Sequence, residues 1–247
     1  MLNKKYGSLV VAVSFFIGVS VGVAISIKIN MAENNKIRQT EREKYRDLLP
    51  FLMETQDGVP IKAKVKNPIL ISIDLTGEER KQVIKAIQDL DKISNTLNYK
   101  ILDNERNSIY ADINISVDTN LQNSKGAFGN TSIEYNTRTG YLKYPMNITI
   151  DDTVANYYSS NGVSLVEYVI KHEMMHTLGF KDIYDKQYFD KTIMWHSIDN
   201  EMNLDNFSSL DVKNIKTMYD QNQITVTKPE NMNIVFNVKH KEEECSM

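Results

Sequence analysis

The stretch "VIKHEMMHTLGFKD", from Val169 to Asp182, gathers side chains that could do chemistry. His172 and His176 stand four residues apart, with Glu173 directly after the first. On a helix, residues at i and i+4 share one face, one turn apart. Two imidazoles placed there can both give a nitrogen to one zinc ion, at about 2.0–2.1 Å. Glu173 projects toward the same side, close enough to touch a zinc-bound water without being a ligand. Zinc lowers the pKa of such a water from about 15.7 to about 7, and a neighbouring carboxylate can accept the proton. The spacing H-E-x-x-H therefore carries a mechanism, hydrolysis by an activated water with Glu173 as general base. Two buried histidines bonded to backbone are the plain structural alternative for the same pentapeptide.

Such a motif needs a helix that starts and stops in the right places. Ser164 and Glu167 have capping-box spacing ahead of it, and Gly179 stands where a left-handed terminator belongs. A catalytic zinc takes three protein ligands and keeps one position open. Glycine tolerates positive φ, so the backbone can turn at Gly179 and return toward the metal. Asp182, six residues after His176, is then the candidate third ligand, with Asp185 close by as a competitor.

The elements that must hold this helix can be read upstream and downstream. "PILISIDL" (Pro68–Leu75) reads as an apolar strand, and Thr76 with Glu79 has capping-box spacing. Val83, Ile84, Ile87, Leu90, Ile93 and Leu97 then recur at helical spacing, predicting a helix of about 20 residues. Strand patterns follow at "YKIL" (Tyr99–Leu102), "ADINISV" (Ala111–Val117), "TSIEYN" (Thr131–Asn136) and "MNITID" (Met146–Asp151). Period-2 alternation puts Ile113, Ile115 and Val117, and again Ile148 and Ile150, on one side. "SSLD" (Ser208–Asp211) announces a last helix with Val212, Ile215, Met218 and Tyr219 on one face.

The full pattern, His172-Glu-Met-Met-His176-Thr-Leu-Gly179-Phe-Lys-Asp182, resembles the metzincin clan of zinc metalloproteases. It is similar to the clan's snapalysin-like bacterial members, which carry aspartate as the third ligand, and to the bacterial matrixin-like ones. Thr192–Met194 ("TIM") looks like the clan's Met-turn, and the resemblance makes Met194 a hydrophobic floor beneath the metal. "FSSLDVKNIKTMYD" resembles the clan's C-terminal helix. "ADINISV" and "TGYLKYPMNITID" look like the strands that precede its active-site helix. The resemblance spans roughly residues 68–221. It implies an α/β (α+β) fold: a twisted mixed sheet with a long helix and the active-site helix, then a small C-terminal subdomain ending in a helix. It also implies one catalytic zinc held by His172, His176 and Asp182, and a peptide or protein substrate. His196 stands where some relatives have a tyrosine near the zinc. It is therefore a candidate for oxyanion stabilisation or a swinging ligand, against a solvent-facing histidine. A gluzincin-type centre with Glu201 as third ligand is the alternative, but such a centre needs neither Gly179, Asp182 nor "TIM". A non-catalytic membrane-tethered binding module on the same fold is the other. It would have no use for Glu173.

Composition narrows the setting. The chain has 247 residues, 41% apolar and 25% charged, with formal net charge −3. That is a globular composition, and its dispersed basic residues leave no nucleic-acid footprint. Ser8 to Ile27 carries no charge, follows Lys4 and Lys5, and matches the roughly 20 residues that cross a bilayer. Residues 1–29 are accordingly expected to anchor the chain, single-pass, with the catalytic part outside the membrane. A cleaved signal, at Gly22–Ala24 or Asn30–Ala32, would give a secreted protein instead. Residues 30–67 read as a charged stalk, 68–222 as the catalytic domain of a monomer, and 223–247 as a polar tail. Residues 31–67 contain no cysteine that could mask a zinc; the single cysteine, Cys245, lies in the tail with His240. The acidic stretches Asp151–Asp152 and Asp199–Asp205 offer oxygens of the kind calcium takes. Neither follows an EF-hand pattern, and loop polarity accounts for both.

Overall fold

The computed structural model describes residues 35–36, 38–102, 109–121, 127–156, 164–197 and 206–220. The elements are β1 (Ile69–Ile73), α1 (Gly77–Asp91), β2 (Tyr99–Ile101), β3 (Ile113–Asp118), β4 (Gly129–Tyr135), β5 (Leu142–Asp151), α2 (Leu165–His176) and α3 (Ser209–Tyr219). The strands form one mixed sheet in the order β2-β1-β3-β5-β4. β2, β1, β3 and β5 run parallel, and β4 turns back antiparallel to β5 at the edge. This is the α/β (α+β) architecture, a mixed sheet with a long helix and the helix that carries the histidines, that the resemblance implied.

Parallel strands need crossover connections, and α1 supplies the one between β1 and β2. Val83, Ala86, Ile87 and Leu90 form its buried stripe. Ile113, Ile115, Ile148 and Ile150 are all buried, as their alternation requires, whereas Val117 is largely exposed near the strand end. The β4–β5 register shifts between the pairs Ser132–Asn147 and Glu134–Lys143. Pro145 lies in that gap, and it has no N–H to give the ladder.

Two helix starts differ from expectation. Thr76 makes no side-chain cap, and α1 is 15 residues long rather than about 20. Its end is set by Ser94, whose hydroxyl accepts from the backbone N–H groups of Thr96 and Leu97. A local side-chain acceptor of this kind competes with the helical ladder. At α2 the Ser164 hydroxyl does accept from Val166 N–H. Glu167 does not complete a box there; it is buried and faces Lys171.

The expected stalk is corrected over much of its length. Tyr45, Leu48, Phe51, Leu52, Val59, Ile61 and Ala63 are all buried in the same core as the sheet and helices. Several of the charges that suggested a stalk are paired with one another along this strap. Arg38 pairs with Asp57, Arg42 with Glu54, and Glu41 with Lys62. The anchor segment 1–29, Glu201, the Asp199–Asp205 loop and the tail 223–247 lie outside the described residues. Among those described, no helix is long and apolar enough to cross a membrane. Asp151 uses one carboxylate oxygen to accept from the Thr153 N–H and hydroxyl.

α2 is keyed to α1 by buried charge. Lys171, fully buried, donates to Glu167 Oε1 at 2.6 Å and reaches Asp89 Oδ2 at 3.0 Å. Lys85 pairs with the other Glu167 oxygen at 2.8 Å. Removing one partner of such a set leaves buried charge uncompensated, a loss of about 3–5 kcal/mol. Lys171→Ala is therefore expected to lower stability by about 3 kcal/mol or more in urea unfolding. A loss below about 1 kcal/mol would show that the cluster does not hold the helix.

Candidate active site

α2 carries both histidines, and its C-terminal turn decides where they point. Gly179 has φ +98° and ends the helix in a Schellman closure. Its N–H bonds to the His176 carbonyl at 3.0 Å, and the Phe180 N–H bonds to that of Met175 at 3.2 Å. A Cβ at Gly179 would lie 2.2 Å from the Ile61 carbonyl oxygen, so no other residue fits. The same turn presents the Phe180 carbonyl to His176 Nδ1 at 2.8 Å. His172 Nδ1 meets the Ile193 carbonyl, also at 2.8 Å. A carbonyl can only accept, so each ring carries a proton on Nδ1 and turns Nε2, the nitrogen left to bind a metal, into the cleft.

Those two Nε2 atoms face one carboxylate. Asp182 Oδ1 lies 3.0 Å from His172 Nε2 and 3.5 Å from His176 Nε2. The rings meet edge to face with centroids 4.9 Å apart. Ligand atoms of His172, Glu173 and His176 also lie within 4.8 Å of one another. Electron-rich atoms converging in this way repel unless they share a cation, a proton or a metal ion. Burial pushes the Asp182 carboxyl up, but the hydrogen bonds and charge of the two histidines outweigh it and hold it well below the usual carboxylate range. Burial pushes His176 down, and Asp182, Glu173 and the Phe180 carbonyl together carry it upward. Two imidazole nitrogens and one carboxylate oxygen are a donor set that zinc accepts. Asp185, the nearby competitor, instead caps a short turn at Gln187 and is exposed.

Glu173 is buried at 5% exposure and approached from β4. The Thr131 hydroxyl donates to its Oε2 at 2.6 Å. Gly129 makes the approach possible, because a Cβ there would sit 2.5 Å from Oε1 and 2.6 Å from Val169 Cγ1. Neither β4 residue carried a signal in the sequence, since this contact joins positions 42 apart.

The turn at Thr192–Met194 is built from below by α3. Asp211, 1% exposed, accepts from the Thr192 hydroxyl at 2.5 Å and from Ile193 N–H at 3.0 Å. It also closes the capping box with Ser208. The Ile193 carbonyl so held accepts from His172 and from the Tyr168 hydroxyl at 3.2 Å. Burial pushes the Tyr168 hydroxyl well above its usual range, so it remains a donor. Met194 is buried, and its carbonyl accepts from Ile183 N–H at 2.7 Å. The sequence reading singled out Met194 but missed Asp211, whose only trace was its place in "SSLD".

His196 lies on the cleft wall, outside the His–His–Asp group. It is exposed and stacks on Tyr184 with centroids 4.5 Å apart and planes 15° from parallel. Its N–H bonds to the Ile183 carbonyl at 3.2 Å. The cleft holds about 720 Å³ and runs between β4 and the 195–197 segment, across the histidines. That volume is in the range of ligand sites.

Residues 19–224 match the family model described as a dual-action HEIGH metallo-peptidase. No curated protein matches the chain.

Asp211 should act on the metal through the Ile193 carbonyl. Supporting groups of this kind typically change metal affinity or activity 10- to 100-fold. Asp211→Asn keeps the shape but loses one acceptor oxygen. Competition titration with a chromogenic chelator is expected to show zinc bound about 10-fold or more weakly, with the circular dichroism spectrum retained. Unchanged affinity would mean the turn holds His172 without Asp211.

Proposed function

The chain belongs to the dual-action HEIGH metallo-peptidases, a metzincin-like zinc family, and on that premise we propose that it is an endopeptidase whose zinc is held by His172, His176 and Asp182, with Glu173 as general base. The observation that carries this reading is the approach of Asp182 Oδ1 to His172 Nε2 at 3.0 Å and to His176 Nε2 at 3.5 Å, beside the buried carboxylate of Glu173. Zinc, when bound there, polarises the scissile carbonyl and makes a coordinated water acidic.

The chain's own groups supply the rest. Glu173 takes the proton of the attacking water on a carboxylate oxygen and delivers it to the leaving amine nitrogen. Thr131 bonds Oε2 and so leaves Oε1 as the oxygen that receives the proton. The Ile193 and Phe180 carbonyls keep both imidazoles in the tautomer that can bind metal. Met194, buried beside the Ile193 carbonyl, would be the apolar floor of the site, and His196 on the cleft wall is the candidate to stabilise the oxyanion. β4 pairs with β5 on one side only among the described strands, so its other edge offers backbone groups to an extended substrate. Thr131 and Ile133 of that strand line the cleft. The uncharged stretch Ser8–Ile27 behind Lys4 and Lys5 supports a catalytic part held outside a membrane.

The test is zinc content and peptide cleavage by the full chain, wild type beside Glu173→Ala. One zinc in each is expected, with cleavage by the variant down about 100-fold or more, in line with general-base contributions of 10²–10⁴. Equal cleavage by both would remove Glu173 from the chemistry. Normal zinc with no cleavage of a diverse library by the wild type would favour a binding module.

A further inference from the structure

The strap ahead of β1 reaches the cleft. Leu52 makes an antiparallel bridge with Phe180, in the turn between His176 and Asp182. Around it, the Met53 N–H donates to the Gly179 carbonyl at 2.8 Å, and the Lys181 N–H donates to that of Phe51 at 2.9 Å. The Met53 carbonyl accepts from Ile61 N–H at 2.8 Å. Both backbone polar groups of Met53 are thus held, on one side by the catalytic turn and on the other by the returning strap. Successive side chains on an extended segment point to opposite faces. Leu52 is fully buried beneath the turn, while Met53 is half-buried and lines the cleft with Ile133, His176 and Asp182.

We infer that Met53 is a specificity-determining residue: its side chain forms one wall of a substrate subsite that takes an apolar peptide side chain. The inference rests on the peptidase reading above. Three features support it. The backbone of Met53 is clamped, so the side chain is presented from a fixed point beside the histidines. Its polar neighbour Glu54 is turned away into the pair with Arg42, which leaves the methionine as what the strap offers the cleft. To the same cleft β4 contributes Ile133, also half-buried and apolar. A methionine adapts to apolar groups of different shape and is polarisable. The subsite should therefore accept a range of aliphatic and aromatic side chains and reject charged ones, which would be left unpaired there.

The experiment is cleavage profiling of the zinc-loaded full chain on a peptide library varied at each position around the scissile bond. It compares wild type, Met53→Leu, Met53→Ala, Met53→Glu and Met53→Lys. At one position, Met53→Ala should raise KM for peptides with large apolar side chains, about 10-fold, with kcat kept. Met53→Glu should shift that position toward Lys and Arg, and Met53→Lys toward Asp and Glu. Met53→Leu should keep the wild-type profile, and all other positions should be unchanged. A uniform fall in rate across the library, with the profile intact, would make Met53 a structural residue and overturn the inference alone. Profiles identical to wild type in all four variants would do the same. A wild type that cleaves no peptide would overturn the peptidase reading and this subsite with it.

Discussion

The turn at Gly179 is the constraint around which the site is arranged. Its left-handed backbone ends α2, and its contact with the Ile61 carbonyl leaves no room for a side chain. From that one turn come the carbonyl that orients His176, the return of the chain to Asp182, and the edge on which the strap pairs. Tyr219 of α3 adds a further tie. Its hydroxyl donates to the Leu178 carbonyl at 2.5 Å and accepts from Ala63 N–H at 3.1 Å. Strap, active-site helix and last helix therefore meet within a few residues of the second histidine.

Orientation of the other histidine follows a separate line of support. Asp211 holds the Thr192–Ile193 backbone, Ile193 holds His172, and Tyr168 shares the same carbonyl. Each imidazole thus has its own backbone carbonyl and its own supporting element. Glu173 has a third, the Thr131 hydroxyl on an edge strand admitted by Gly129. Preorganised groups of this kind cost no rearrangement when charge develops.

What could be read in the sequence was local. The histidine spacing, the helix stop at Gly179 and the short reach to Asp182 all lie within eleven residues, where helix geometry dictates neighbours. Strand alternation located the sheet for the same reason. The supports of the site are long-range, and no periodicity encodes them: Gly129 and Thr131 against Glu173, Asp211 against Ile193, Met53 against Gly179. The strap was misread because its charges dominate the pattern by number. Its apolar residues, Tyr45, Leu48, Leu52 and Ile61 among them, decide its position by burial. Glu79 and Glu167 show the complementary limit: both have capping-box spacing, and neither serves the box.

The bond from Ala63 N–H to the Tyr219 hydroxyl joins positions 156 apart, and it lies against the turn that sets Asp182. On a ribosome the strap emerges early, and its partners at Gly179 and Tyr219 are made later. Loop-closure entropy must be met before contacts so distant in sequence return any stabilisation. The order of synthesis therefore leaves the strap without its partners until α2 and α3 have both been made. The metal-facing turn is thus local in the chain, whereas the cleft wall that carries Met53 forms only when the strap docks on it.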